Sequence, residues 1–357
     1  MIDKAFARFD LTDLPELLDD IVPSEFKSIF EPISYKPWSP EVVQVAGRYT
    51  ITRSAVVFPS LKLSRKLQYR NTLSRLQIAF ITAASLIKRN ARGADATAGK
   101  VAGIVHSPWT AGYYHWLTEG LPRALALREA YPNAIPTLPS PRYAPYFESL
   151  EAIGFTKSAL FPSASNLAVR NPILTSCPGE FATTDPEVLR KLRAHICQRY
   201  EITHTKPFRK VYISRKKSRG RFVINELEVE ATLKRHNFEI IHAEKLSFEE
   251  QVRLFSETAT LVSIHGAGLT NAIFMQPGAS MIELLPRRNG IFDYHRGRNS
   301  FLHDACYVRL AAAMGLIYGF VLCKADVPFY RGTHMANVEV DTSTLLDCLS
   351  TAHTDQS

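Results

Sequence analysis

At 357 residues the chain exceeds the roughly 250–300 residues at which a single hydrophobic core stops growing, so two domains are expected. Its 46% apolar and 22% charged residues are those of a globular protein, with no apolar run near the ~20 residues of a membrane span. A formal net charge of +9 calls for acidic partners, and five scattered cysteines without a C-x-x-C pair argue against a zinc site or a disulfide framework.

The N-terminal MIDKAFARFDLTDLPELLDD carries acids throughout and lacks the apolar centre of a signal peptide, which predicts a soluble cytoplasmic protein. EVVQVAGRYTITRSAVVF alternates β-branched and polar residues around Gly47 and reads as a hairpin. KVAGIVH, Lys100 to His106, reads as a strand leading into an aromatic helix, and a proline-rich stretch follows. PEVLRKLRAHICQRY, Pro186 to Tyr200, has helical periodicity with proline at its start. After a polar link, strands KVYIS, FEIIHA, TLVSIH and SMIELLP alternate with helices NELEVEATLKRH and SFEEQVRLFSET and with a glycine turn. That alternation predicts a parallel sheet with right-handed crossovers, and the change of texture puts a boundary at residue 204. Ser247 and Glu250 form a capping-box pattern.

Four segments carry chemistry. In LVSIHGAGLTNAIF, Gly266 and Gly268 end a strand at a helix start, where backbone amides can approach a phosphate. Asn271 stands where a dinucleotide fingerprint has its third glycine, which disfavours a nicotinamide-dependent dehydrogenase but leaves a phosphate site open. His265 and Asn271 add donors. Glu283, in the apolar strand SMIELLP, is costly to bury without partners, which fits either a ribose-binding acid or a structural ion pair. In VYISRKKSRGRFVINE, Arg215 and Arg221 can fork onto phosphate oxygens, with Asn225 and Glu226 opening the next helix. In AGYYHWLTEGLPRAL, His115 and Glu119 share a helix face as an imidazole and its orienting carboxylate, while Pro122 should kink that helix. No D-x-D pair is present.

Taken in order, YYHWLTEGLPR, VYISRKKSRGRFVINELEV and LSFEEQVRLFSETATLVSIHGAGLTNAIFMQPGASMIELLP resemble glycosyltransferase family 61, over about residues 100 to 330. The resemblance implies an α/β, GT-B-like architecture with two Rossmann-like domains facing each other across a cleft. Its domains would be 1–203 on the acceptor side, 204–330 binding a nucleotide-sugar, and 331–357 a strand and helix tail. It implies an inverting, metal-independent transfer from a nucleotide-sugar, UDP-linked by expectation, to a saccharide or lipid-linked acceptor. Bacterial surface polysaccharide is the expected product, and the enzyme would work without a cofactor at the inner face of the membrane. His115 and Glu119 are the catalytic candidates, either being the base. The donor-side pattern falls on Arg215, Arg221, Asn225, Glu226, His265, Gly266, Ala267, Gly268, Leu269, Asn271 and Glu283. The competing reading is a non-catalytic basic protein that binds nucleotides or nucleic acid, which explains the charge but not the glycine turn.

Overall fold

The computed structural model describes residues 6–9, 35–58, 101–138, 144–156, 167–203, 206–216, 221–286, 305–326 and 336–351, apart from positions 36, 53, 54, 56, 108, 180 and 181. The chain forms two compact units. One is Tyr35–Glu201; the other joins Met1–Ser34 to Ile202–Ser357. The first 34 residues therefore group with the C-terminal unit and not with the N-terminal domain expected for 1–203. In that unit β1 (Phe6–Phe9) is an edge strand.

Within Tyr35–Glu201, β2 (Val42–Gln44) and β3 (Arg48–Ile51) do not pair with each other as a hairpin. β3 pairs antiparallel with β4 (Val57–Phe58). The unit continues with β5 (Ala102–Ile104), α1 (Leu121–Ala130), β6 (Ile135–Pro136), α2 (Ala144–Ala152), β7 (Leu167–Arg170), β8 (Ile173–Thr175) and α3 (Pro186–Arg199). β2 joins the sheet β2-β8-β5-β6, while β3 joins the sheet β4-β3-β7. Gly47 and Asn171 clamp the two crossing points: the Gly47 amide donates to Asn171 Oδ1 at 2.7 Å, and the Asn171 amide donates back to Gly47 O at 2.8 Å. Among the described residues this unit thus holds two small sheets, where a second Rossmann-like sheet was expected.

Two buried side chains, a guanidinium and a neutral imidazole, organise it. Arg123 is fully buried and donates to the carbonyls of Ile104, His106 and Thr175, at distances of 2.8–3.2 Å. It joins the carboxyl ends of β5 and β8, with no carboxylate partner among the described residues. His106, also fully buried, donates from Nε2 to Thr52 O at 3.2 Å and lies 2.6 Å from Thr137 Oγ1 through Nδ1. Burial, with Arg123 nearby, lowers its pKa to about 4.

The C-terminal unit is built on β9 (Arg209–Ile213), α4 (Glu226–Arg235), β10 (Glu239–Ile241), α5 (Phe248–Ser256), β11 (Thr258–Ile264), β12 (Ser280–Pro286), α6 (Cys306–Met314), β13 (Ile317–Asp326), β14 (Asn337–Glu339) and α7 (Thr342–Ser350). The parallel run is β10-β9-β11-β12-β13, with β1 and β14 antiparallel to β13. Counted from β9 this is the doubly wound order 2-1-3-4-5, whose chain reverses direction between β9 and β11. Side chains alternate between faces. Tyr212, Val262, Ile264, Ile282, Leu284 and Val321 form one core cluster with Val229 and Leu233 of α4 and Leu345 of α7. Ile213, Ser263, His265, Glu283 and Tyr318 belong to the other face. In the range 331–357 expected as a tail, the described residues 336–351 belong to this unit: β14 extends the sheet, and Val338, Leu345 and Cys348 lie in the core.

The capping box forms as expected. Ser247 Oγ accepts from the Glu250 amide at 3.2 Å, and Glu250 Oε2 accepts from the Ser247 amide at 2.7 Å.

His106 makes the Tyr35–Glu201 unit acid-sensitive. Its folded pKa lies below that of an unfolded histidine, so below pH ~6.5 the unfolded chain takes up a proton that the native state refuses until about pH 4. Stability should fall on the order of 3 kcal/mol between pH 7 and 4. His106→Gln should flatten that slope in denaturant unfolding followed by tryptophan emission, since all three tryptophans lie in this unit.

Candidate functional site

The Tyr113–His115 turn runs into a π-helical segment, Trp116–Gly120, and then into α1. Pro122 has no N–H to give the Thr118 carbonyl, and Thr184 Oγ1 donates to that carbonyl instead, at 3.1 Å. The Leu121 amide reaches back to Trp116 O, the wider repeat of a π turn, a form often found at functional sites. The helix is therefore re-pitched and not simply kinked. His115 and Glu119 still meet: Nδ1 donates to Oε1 at 2.7 Å, with both side chains largely but not wholly shielded from solvent. The edge of Tyr114 stacks against the imidazole at 5.4 Å. Cys177 lies near Glu119 and Arg123, its thiol pushed up by burial.

In the C-terminal unit the glycine turn becomes a 3₁₀ helix, Ala267–Phe274, with Gly266 in extended backbone ahead of it. The two glycines serve close packing. A Cβ on Gly266 would run into the guanidinium of Arg215, and one on Gly268 would press on Ile213 of β9 at 3.2 Å. Arg215 thus crosses from the end of β9 to the end of β11. Burial, then the neighbouring charge of Arg221, lowers its pKa. Ala267 and Gly268 open the helix, where amides have no intrahelical acceptor.

His265 follows β11. Its Nδ1 donates to Glu283 Oε1 at 2.5 Å, and Tyr318 donates its hydroxyl to Glu283 Oε2 at 2.6 Å. Tyr307 of α6 packs edge-on to the imidazole with centroids 5.0 Å apart. Arg215, Arg221, His265, Gly266, Ala267 and Gly268 are therefore brought together on one edge of the sheet, with Glu283 behind them.

Other expected donor contacts fall elsewhere. Glu283 is fully buried, with both oxygens already accepting, so it orients His265 and is not a ribose grip. Asn271 is buried and donates to Gln251 Oε1 of α5 at 2.9 Å. Leu269 is buried, and its amide closes the first 3₁₀ turn onto Gly266 O at 2.9 Å. Asn225 is a clamp on Val340, donating to its carbonyl at 2.8 Å and accepting from its amide at 2.9 Å. Glu226 accepts from Tyr212 on the opposite face of the sheet at 3.1 Å, and burial raises its pKa. Residues 217–220 of the basic segment lie outside the described residues. Sequence reasoning passed over Tyr307, Tyr318, Gln251 and Arg123. The tyrosines and Gln251 act through pairings between elements, but Arg123, in the quoted LPRAL, was visible as a charge inside an apolar helix. Among the described residues no three His, Cys, Asp or Glu side chains gather to hold a metal ion.

Residues 113–282, just under half the chain, match the model of the family Glycosyltransferase 61. The chain is 29% identical over 124 residues to the EGF domain-specific O-linked N-acetylglucosamine transferase of Drosophila melanogaster, covering 33% of this chain and 22% of the relative. It is 35% identical over 74 residues to protein O-linked-mannose beta-1,4-N-acetylglucosaminyltransferase 2 of Canis lupus familiaris, covering 20% and 13%. With the protein of that name from Mus musculus it shares 31% over 104 residues, covering 28% and 18%. The chain thus spans less than a quarter of the length of these relatives. Together the matches support a glycosyltransferase. The named relatives are eukaryotic and lend no support to the bacterial polysaccharide setting expected above. No helix among the described residues is long and apolar enough to cross a membrane.

Asn225→Ala should strip Val340 of two partners and lower the stability of the C-terminal unit by about 1–2 kcal/mol. Faster hydrogen exchange at the Val340 amide checks it.

Proposed function

We propose that the chain transfers a sugar from a nucleotide-activated donor to a hydroxyl of a saccharide-bearing acceptor, with inversion at the anomeric carbon. The observation that carries this reading is the meeting of Arg215 with Gly266 at the ends of β9 and β11, where the sheet order reverses. In open α/β sheets ligands sit at that crevice, and a guanidinium beside unpaired helix-start amides suits a diphosphate.

In the proposed step the acceptor hydroxyl loses its proton to His115 as its oxygen bonds to the anomeric carbon. The bond from that carbon to the diphosphate breaks, and the electron pair leaves with the nucleotide. Glu119, accepting from Nδ1, keeps the basic lone pair of His115 on Nε2 and offsets the charge it gains. Arg215, Arg221 and His265 take up the negative charge that grows on the leaving oxygen. No step is assigned to a metal. The relatives' names make UDP-N-acetylglucosamine the first donor to try.

UDP, GDP and CMP are to be compared by thermal shift, with stabilisation by one of them expected. Failure of all three would sink the transferase reading. Arg215→Lys should weaken binding of the stabilising nucleotide about tenfold, because lysine cannot fork. His115→Asn should lower transfer by about 10²–10⁴ while nucleotide binding persists. Transfer at the parental rate in that variant would remove His115 as the base.

A further inference from the structure

Trp109 is the one exposed tryptophan of the three in the chain, at 49% accessibility. Trp116 is fully buried and donates to Ser149 Oγ, while Trp38 is half-buried and donates to Ser176 Oγ. The Trp109 indole N–H has no hydrogen-bond partner among the described residues, so neither burial nor hydrogen bonding to them accounts for this side chain.

The backbone beneath it is nevertheless firmly set. The Ser107 amide donates to Thr110 Oγ1 at 2.9 Å, and that hydroxyl donates back to Ser107 O at 3.0 Å. The Trp109 amide donates to Ser107 Oγ at 3.3 Å, and Gly112 donates its amide to Trp109 O at 2.9 Å. Buried Tyr146 donates its hydroxyl to Thr110 O at 2.8 Å. A frame pinned at five points displays a large apolar ring to water, an arrangement that costs solvation and returns nothing inside the unit.

The ring stands beside the reacting groups. Its centroid is 6.4 Å from that of His115, with the planes tilted by 36°. A flat apolar face with an N–H on its rim suits the C–H face of a pyranose, whose hydroxyls project around its own rim. A sugar resting on it would hold a rim hydroxyl towards the imidazole.

We infer that Trp109 is an acceptor-binding platform: a pyranose ring of the acceptor stacks on its indole and is oriented there for proton removal by His115. The inference rests on the transferase reading above and adds the acceptor subsite to it. Trp109 touches substrate by stacking and takes no proton.

The test uses the full chain and the methyl glycosides of glucose, galactose, mannose and N-acetylglucosamine. At least one should protect Trp109 from acrylamide quenching and receive saturation transfer from the protein on its own ring protons in NMR. The transfer should vanish in Trp109→Ala and survive in Trp109→Phe. With an acceptor in turnover, Trp109→Ala should raise KM about tenfold with a much smaller change in kcat, and Trp109→Phe should recover most of the loss. Circular dichroism and the nucleotide-induced thermal shift, which reads the other unit, establish that each variant is folded. No protection by any glycoside up to about 100 mM, with that shift intact, overturns the platform alone. Saturation transfer undiminished in Trp109→Ala overturns it as well. Loss of the shift in the parent chain overturns the transferase reading instead.

Discussion

Glu283 stands in the middle of a strand with no exposed surface, and a carboxylate there is tolerable only if its charge and lone pairs are met. His265 and Tyr318 meet them, from the end of β11 and from β13. The acid thereby binds three adjacent strands across the sheet and fixes the imidazole at the edge where Arg215 and the helix amides converge. The packing around it follows the same demand for closeness. Gly266 leaves the space that Arg215 fills, and Gly268 lets the 3₁₀ helix settle on Ile213. The cationic edge and the buried acid behind it are one construction.

The Tyr35–Glu201 unit solves a related problem without an acid. Arg123 is buried without an ion pair among the described residues, and carbonyl oxygens from β5, β8 and the turn after β5 supply the partial negative charge. Because a guanidinium has several donors in a fixed plane, one side chain holds two strand ends and the start of the Ser107–Gly112 turn in register. The π turn serves the next link along. It re-pitches the chain ahead of Pro122 while keeping His115 and Glu119 in hydrogen-bond contact.

Local signals carried much of this into the sequence. Ser280–Pro286 was readable as a strand from its unbroken apolar run, Ser247 and Glu250 as a helix start, and the strand–helix alternation as a parallel sheet. His115 and Glu119 needed only helical spacing. What escaped depended on pairings between distant segments. Nothing local separates β2 and β3 into different sheets, since β8, which β2 joins, and β7, which β3 joins beside its neighbour β4, both lie beyond residue 166. Asn225, Glu226 and Asn271 looked like ligands because each is a polar group at or near a helix start beside a phosphate-like motif. Their partners, Val340, Tyr212 and Gln251, become visible only once the sheet has two faces. Tyr318 is the converse, an ordinary strand residue given a role by its neighbour.

The edge strand β1 pairs Phe6 with Val321 and Phe9 with Tyr318, so two segments some three hundred residues apart complete one sheet. The whole Tyr35–Glu201 unit is inserted between them, ahead of β9. At ordinary rates of synthesis, Phe6–Phe9 emerges tens of seconds before its partner strand exists. The inserted unit has its own core and can form in that interval, whereas the unit that holds β1 can be finished only after β13 has been made. The order of assembly therefore runs from the inserted unit outward, and β1 waits unpaired until β13 is made.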